Sequence, residues 1–352
     1  MQDAASLTEP LVAIGILRPV VVDGKRKLAT HPLFRKYVAE RFETLSPAHV
    51  LELRYAAART YVRHASPVEA VRVAADTGDG DFIGEIVEAC DPALTWILHG
   101  AARLRQLVRL VPDPVFRTHP RVGYARVISW IKDGRLKDAQ RLFDELDTLE
   151  PPEAQGRAGA VERDFSRCLL AIYKGTSISD EEIARVERLA ASRKDLAPTL
   201  LCLANTLRCY RQQHASQFRT AQESARRAMR DAELGESPYA AYFMYCDLAM
   251  ISGVLGEARE AFSLFQQGDR ACLAAIRADE RLTLIRDAFR LELEHERDPF
   301  EATGMARLRN LSLRLPRLEG WLDVFAAVYR TYSKKLYLGE NLAAALAVIE
   351  AG

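Results

Sequence analysis

The sequence predicts an all-α protein, an α-solenoid of paired helices behind a short N-terminal segment that holds one β-hairpin. Three observations carry this. After Ser46, turn-forming residues recur, and the segments between them run roughly 12 to 20 residues with apolar positions at three- and four-residue spacing. Small residues at Ala139, Ala184, Ala221, Ala261, Ala302 and Ala344 return with a period near 40, as stacked helix pairs require. One stretch alone, before residue 46, is rich in β-branched residues.

The elements follow in order. Residues 7–17 suit a short helix, with Thr8 as N-cap ahead of Pro10. Residues 16–22 and 25–29 flank Asp23-Gly24, the pattern of a tight hairpin. Residues 32–42 read as an amphipathic helix with Leu33, Tyr37, Val38 and Phe42 on one face. Helix, hairpin, helix is the end of a winged-helix unit and too short to be a whole one. Residues 1–45 are therefore read as a partial winged helix and 46–352 as the helical repeat domain.

Turns in the repeat domain are expected at Ser66-Pro67, Asp79-Gly80, Asp113-Pro114, Asp133-Gly134, Pro151-Pro152, Gly235, Gly256, Asp298-Pro299 and Gly339. The repeating frame is clearest in residues 124–151. Trp130 lies in a first helix, Gly134 makes the turn, Ala139 and Phe143 lie in a second helix, and Pro151 ends the unit. Glycine permits the left-handed turn, and a small alanine lets the two helices close. Tyr61 stands before Ala70 and Ala74 at matching offsets. Gly256, Ala261 and Phe265 repeat the turn and second helix, as do Gly339, Ala344 and Val348, with weaker copies centred on Ala184, Ala221 and Ala302.

Composition narrows the function. The chain has 352 residues, 49% apolar and 28% charged, ordinary globular values that suit roughly two domains. Lys plus Arg is 49 and Asp plus Glu is 48, so no global field favours nucleic acid or a membrane. The best apolar runs, such as residues 196–207, fall short of the roughly 20 residues that span a bilayer. Asp3 and Glu9 stand where a signal peptide needs a basic start and an apolar core. A cytoplasmic chain without membrane contact is expected.

Catalytic chemistry is not expected either. The six cysteines (90, 168, 202, 209, 246 and 272) form no C-x-x-C pair, and the seven histidines do not cluster near them. Free buried thiols and no metal site are the reading. There is no H-E-x-x-H, G-x-S-x-G or G-x-G-x-x-G. Asp76, Asp79 and Asp81 lack the regular oxygens and the twelfth-position Glu of a calcium loop, so that run is read as a helix-ending turn. Asp180-Glu181-Glu182, after Ser177 or Ser179, reads as an acidic first helical turn. No catalytic residue, metal or cofactor is expected, and the chain is not read as an enzyme.

Two stretches are basic. Residues 18–41 carry seven basic residues against Asp23 and Glu40, with Lys25, Arg26 and Lys27 at the hairpin tip. These three are candidates for phosphate or interdomain contact. Residues 103–132 carry seven basic residues and one acid, Asp113, a candidate patch for an acidic effector or an acidic helix of a partner.

The repeat frame resembles a loosened tetratricopeptide repeat. The N-terminal part is more specific. His31-Pro32-Leu33-Phe34 with Tyr37, Arg41 and Phe42 resembles the "HPLF" segment that closes the winged helix in MalT-like transcription regulators, the large ATP-binding LuxR family. Ala56-Ala57-Ala58 with Tyr61, then Pro67, Glu69-Ala70, Ala74-Ala75 and Gly78-Asp79, is similar to the family's following stretch. Residues 107–112, His119-Pro120 and the run from Trp130 to Ala139 continue it. The resemblance covers residues 7–150 and extends loosely to Gly352.

The resemblance implies a right-handed α-solenoid of tetratricopeptide-like helix pairs that serves as the signal-sensing and protein-interaction part of a regulator. The family's ATPase carries a G-x-x-x-x-G-K-[ST] loop, which this chain lacks, and the chain stops near where the family's helix-turn-helix domain would begin. ATP hydrolysis and operator binding are therefore not carried over. ATPase and DNA-binding domains, in cis or in trans, become expected partners, beside a small-molecule effector or a regulatory protein, with self-association allowed for. If first helices line the groove, the frame places Arg121, Tyr124, Tyr173, Tyr210 and Tyr329 on the inner face as effector-binding candidates. Two other readings stand beside this one: a stand-alone helical-repeat adaptor, and a weak nucleic-acid binder acting through the basic hairpin.

Overall fold

The computed structural model describes residues 4–22, 25–149, 160–194, 196–274, 280–299, 304–314 and 322–351. The described residues are predominantly helical, with one two-stranded sheet. Strands β1 (Leu17–Val22) and β2 (Lys25–Thr30) pair antiparallel, Leu17 opposite Thr30 and Val22 opposite Lys25. That register leaves two residues for the connection, as the hairpin reading expects. Asp23 and Gly24 themselves lie outside the described residues, as do the side chains of Lys25, Arg26 and Lys27.

Helix α1 (Ala4–Ala13) precedes the hairpin and α2 (Pro32–Glu43) follows it. Thr8 and Pro10 both lie inside α1 instead of starting it. Proline's fixed φ suits a helix, at the loss of one backbone bond. Helix α2 has the expected bounds, with Pro32 at its first position and the His31 ring accepting from the Leu33 amide at 3.3 Å. Its apolar face finds little cover: Leu33 is 74% exposed and Tyr37 53%. Among the described residues, none before Ala58 is buried.

Helices α3 (Pro47–Arg63), α4 (Pro67–Ala75), α5 (Gly80–Ala89), α6 (Pro92–His99), α7 (Ala101–Val108) and α8 (Val115–Thr118) come next. The Ser46, Asp79 and Asp91 side chains accept from the third helical amides of α3, α5 and α6, so each start is set by a capping residue. Helices α4 to α8 are shorter than the sequence periodicity predicts. Pro92 starts a helix, Gly100 breaks one at φ +82°, and Pro112 and Pro114 follow α7 closely. Ala70 and Ala74 are wholly buried, as the alanine frame expects.

From Pro120 the chain is regular. The first helices are α9 (Pro120–Lys132), α11 (Ala160–Lys174), α13 (Ala197–His214), α15 (Pro238–Val254), α17 (Glu280–Arg297) and α19 (Leu322–Leu338). Their partners are α10 (Leu136–Leu149), α12 (Asp180–Ser192), α14 (Phe218–Leu234), α16 (Ala258–Ala271), α18 (Met305–Arg314) and α20 (Leu342–Ala351). Helix α12 starts on a capping box between Ser179 and Glu182, which gives the acidic run its structural role.

One turn recurs. Gly134, Ser216, Gly256 and Glu340 are each the middle of a three-residue connection and are left-handed, with φ from +58° to +78°. The next amide reaches back five residues: Arg135 to the Trp130 carbonyl, Gln217 to Gln212 and Glu257 to Ser252, each at 2.8 Å. This is a Schellman ending, which satisfies carbonyls the helix leaves open. Gly175 ends α11 the same way at φ +64°. These left-handed residues stand about 41 apart, a regular period of helix pairs.

The expected glycine and alanine positions are partly shifted. Gly235 has φ −82°, and Glu236 beside it takes the left-handed role; Gly339 likewise yields it to Glu340. The three-residue geometry fixes which position turns, and glycine does not have to occupy it. Ala139, Ala221 and Ala261 are wholly buried, whereas Ala184 and Ala344 are half-buried beside the buried Ile183 and Ala345. Ala302 lies outside the described residues.

Three apolar clusters hold the described helices, one from Ala58 to Leu207, one from Cys202 to Val328 and a smaller one of Cys209, Ala221, Ala225, Leu248 and Ile251. Equivalent positions of successive first helices bond to each other: Arg121 with Glu162, Lys132 with Tyr173, Arg330 with Glu292 and Lys334 with Glu296. One contact breaks this order. Helix α6 reaches across to α15, where the Ser237 hydroxyl donates to the Ile97 carbonyl at 2.7 Å in a buried bond. Gly100 permits the approach, because a Cβ there would lie 2.9 Å from the Tyr239 ring.

Candidate functional site

That crossing builds the candidate site. A cavity of about 120 Å³ lies between α6, α9, α11, α13 and α15. Trp96 comes from α6, Lys132 from α9, Phe165 and Tyr173 from α11, Tyr210 from α13, and Tyr239 and Phe243 from α15. The walls are buried: Phe165, Tyr173, Tyr239, Phe243 and Met244 are each 6% exposed or less. Thr206, Tyr210 and Ala240 are half-buried and form the rim.

Lys132 is the charged residue of this cavity and is 5% exposed. Its ammonium donates to the Tyr173 hydroxyl at 2.7 Å. It also sits over three rings, 5.6 Å from the centre of Trp96, 5.0 Å from Tyr173 and 5.9 Å from Phe243. A ring face attracts a cation, more strongly where water is excluded, and this offsets part of the cost of burying the charge. Trp96 also stacks edge-on against Phe165 at 5.7 Å. Its indole Nε1 is buried and has no hydrogen-bond partner among the described residues.

The cavity shows no nucleophile poised for chemistry. The Cys202 thiol lines it, but burial pushes that thiol up to about 12, far from the thiolate that reacts. The Thr206 hydroxyl donates to the Cys202 carbonyl at 2.8 Å. No group of three or more metal-ligating side chains occurs among the described residues. The arrangement offers an apolar space between aromatic walls, beside the buried Lys132 ammonium.

The sequence-predicted residues divide. Tyr173 and Tyr210 meet in this cavity. Tyr124 is wholly buried against Phe143 at 5.8 Å, so its ring packs between helices. Tyr329 stacks on Phe325 in the second apolar cluster. Arg121 is tied to Glu162 at 2.6 Å, with Asp91 3.5 Å away. Burial raises the Glu162 carboxyl above the usual carboxylate range, while the Arg121 guanidinium pulls it the other way.

The basic stretch 103–132 is partly paired within the fold, while Arg103 and Arg109 stay exposed. Arg105 pairs with Asp133 at 2.6 Å, Arg117 with Glu145 at 3.0 Å, and Arg126 lies over the rings of Phe116 and Trp130. The acids that pair with Arg105, Arg117 and Arg121 come from beyond the stretch: Asp133, Glu145 and Glu162. A larger open recess of about 820 Å³ runs along α10, and its Arg117 and Lys174 are already bonded to Glu145 and Gln140.

Trp96, Tyr239 and Phe243 were not among the expected site residues, and Lys132 was expected only as part of the basic stretch 103–132. The aromatic run Tyr239, Tyr242, Phe243 and Tyr245 was visible, but nothing local places Trp96 against it, 147 positions from Phe243. No helix among the described residues is long and apolar enough to cross a membrane. No family model matches the chain, and no curated protein and no solved structure matches it.

Proposed function

We propose that the chain is a sensor module without catalysis: a tetratricopeptide-like α-solenoid whose inner face binds a small-molecule effector. One observation supports this above the rest. The cavity is walled by four first helices and by α6, so one occupant touches residues from Trp96 to Met244 at once. A ligand that fits one spacing of these helices better than another shifts the population toward that spacing. The resemblance to MalT-like regulators suits this reading. The shift would then be read by ATPase and DNA-binding domains, in cis or in trans.

The test is thermal unfolding of the whole chain against a panel of neutral, anionic and cationic metabolites, repeated with Tyr210→Ala. Tyr210 sits on the rim, half-buried, so its loss spares the walls. At least one metabolite should raise the Tm by several degrees, as binding to the folded state requires. The same metabolite should raise that of Tyr210→Ala by clearly less. A panel with no stabilising member, or full retention of the shift in the variant, rejects the reading.

A further inference from the structure

We propose that the cavity binds a flat single-ring compound that carries a carbonyl oxygen, and that this oxygen accepts from the Trp96 indole N–H. This rests on the effector reading above and names the ligand class of that site. Trp96 lines the cavity from α6 and is 7% exposed. Its Nε1 is buried and has no hydrogen-bond partner among the described residues. An indole N–H is a donor and nothing else, so only a lone pair completes it. Buried donors in folded proteins are nearly always satisfied, so this one points to an acceptor on the ligand.

The walls set the rest of the ligand. Phe165, Tyr239 and Phe243 offer ring faces and edges to an apolar body. Trp96 meets Phe165 edge-on at 5.7 Å, so the indole stands among these rings. The volume is about 120 Å³, and cavities of this order hold a single ring. A plain hydrocarbon ring would fill that space and leave the indole N–H as it is. A ring that offers only donors would add a second open donor beside it. A carbonyl carried on the ring keeps the apolar body against the walls and brings one oxygen to the indole. Satisfying a buried neutral donor in this way is worth about tenfold in affinity.

The experiment is titration of the full chain with acetophenone and with ethylbenzene, which share a body and differ in the oxygen, read by calorimetry and by the indole N–H resonances of isotope-labelled protein. Trp96→Phe removes the N–H and keeps a ring. The ratio of ketone to hydrocarbon affinity should fall about tenfold in that variant, and comparing ratios cancels the different hydration of the two ligands. Should Trp96→Phe fail to fold, the wild-type spectrum decides. The chain has three tryptophans, so Trp130→Phe and Trp321→Phe identify the Trp96 signal by elimination. That signal should move further downfield with acetophenone than with ethylbenzene. A ratio that Trp96→Phe leaves unchanged, or an indole signal that both ligands move alike, overturns the proposal. Absence of acetophenone binding at millimolar concentration overturns it too. If a metabolite then still raises the Tm through Tyr210, the effector reading stands without the carbonyl. If none does, both readings fall.

Discussion

Arg121 and Glu162 carry the sharpest residue-scale consequence. The carboxyl is buried and the guanidinium is 24% exposed on its side chain. Removing the arginine leaves a buried charge without its cation, which costs about 3 kcal/mol in comparable pairs. Arg121→Met should therefore lower unfolding free energy by about that amount near neutral pH. The pH dependence has a definite sign. Burial already holds the Glu162 carboxyl above its unfolded value, and losing Arg121 raises it further. A carboxyl raised in the folded state contributes stability below its unfolded pKa and loses it as pH rises through the folded pKa. The gap between wild type and variant should be smaller at pH 5 than at pH 8, as read by urea denaturation at both. At this scale the repeat frame named Tyr124, Tyr173 and Tyr210 alike as inner-face candidates, and the structure brings Tyr173 and Tyr210 to one cavity while Tyr124 packs against Phe143. The sequence does not separate them, because a face between repeats and a face toward the groove share one periodicity.

The recurring turn is the lesson at the scale of elements. The alanine period was legible because a small residue in a second helix is a packing requirement. The turn position was less so, since Ser216, Glu236 and Glu340 do what glycine does at 134 and 256. Gly134 offers a clean test, because a Cβ there meets nothing within 4 Å. Gly134→Ala should cost about 1 kcal/mol from backbone strain alone. Gly123 offers the contrast: inside α9 its φ is ordinary, but a Cβ would lie 2.3 Å from the Phe116 carbonyl oxygen and 2.7 Å from Leu146. Gly123→Ala should cost about 3 kcal/mol by overpacking. Chemical denaturation of the two variants separates the roles. A Gly123 variant as mild as the Gly134 one would show that α8 yields easily. The short helices α4 to α8 were the least legible part, because each stop there is a single proline or glycine inside an otherwise helical pattern.

At the scale of the whole molecule, the contact of α6 with α15 matters most. It was not legible at all, since the partners lie 140 positions apart and neither side carries a local signal. Ser237 serves twice: its hydroxyl donates to the Ile97 carbonyl and accepts from the Ala240 amide at the start of α15. Ser237→Ala removes a cap and leaves a buried carbonyl open, together about 2 kcal/mol. Loosening α6 also opens a wall of the cavity. The buried Cys202 should then react faster with a thiol reagent in the native state, through local opening. An unchanged rate would mean that α6 stays seated without this bond.

The same crossing has a mechanical side. Helix pairs strung in a line, pulled from the two ends, would peel away one pair after another. Here Ile97 is fastened to Ser237, so the pull passes directly from one to the other. The packed helices α7 to α14 between them are shielded from that tension until the clasp parts. Only then would they take up the load, and the cavity would lose its α6 wall at the same moment.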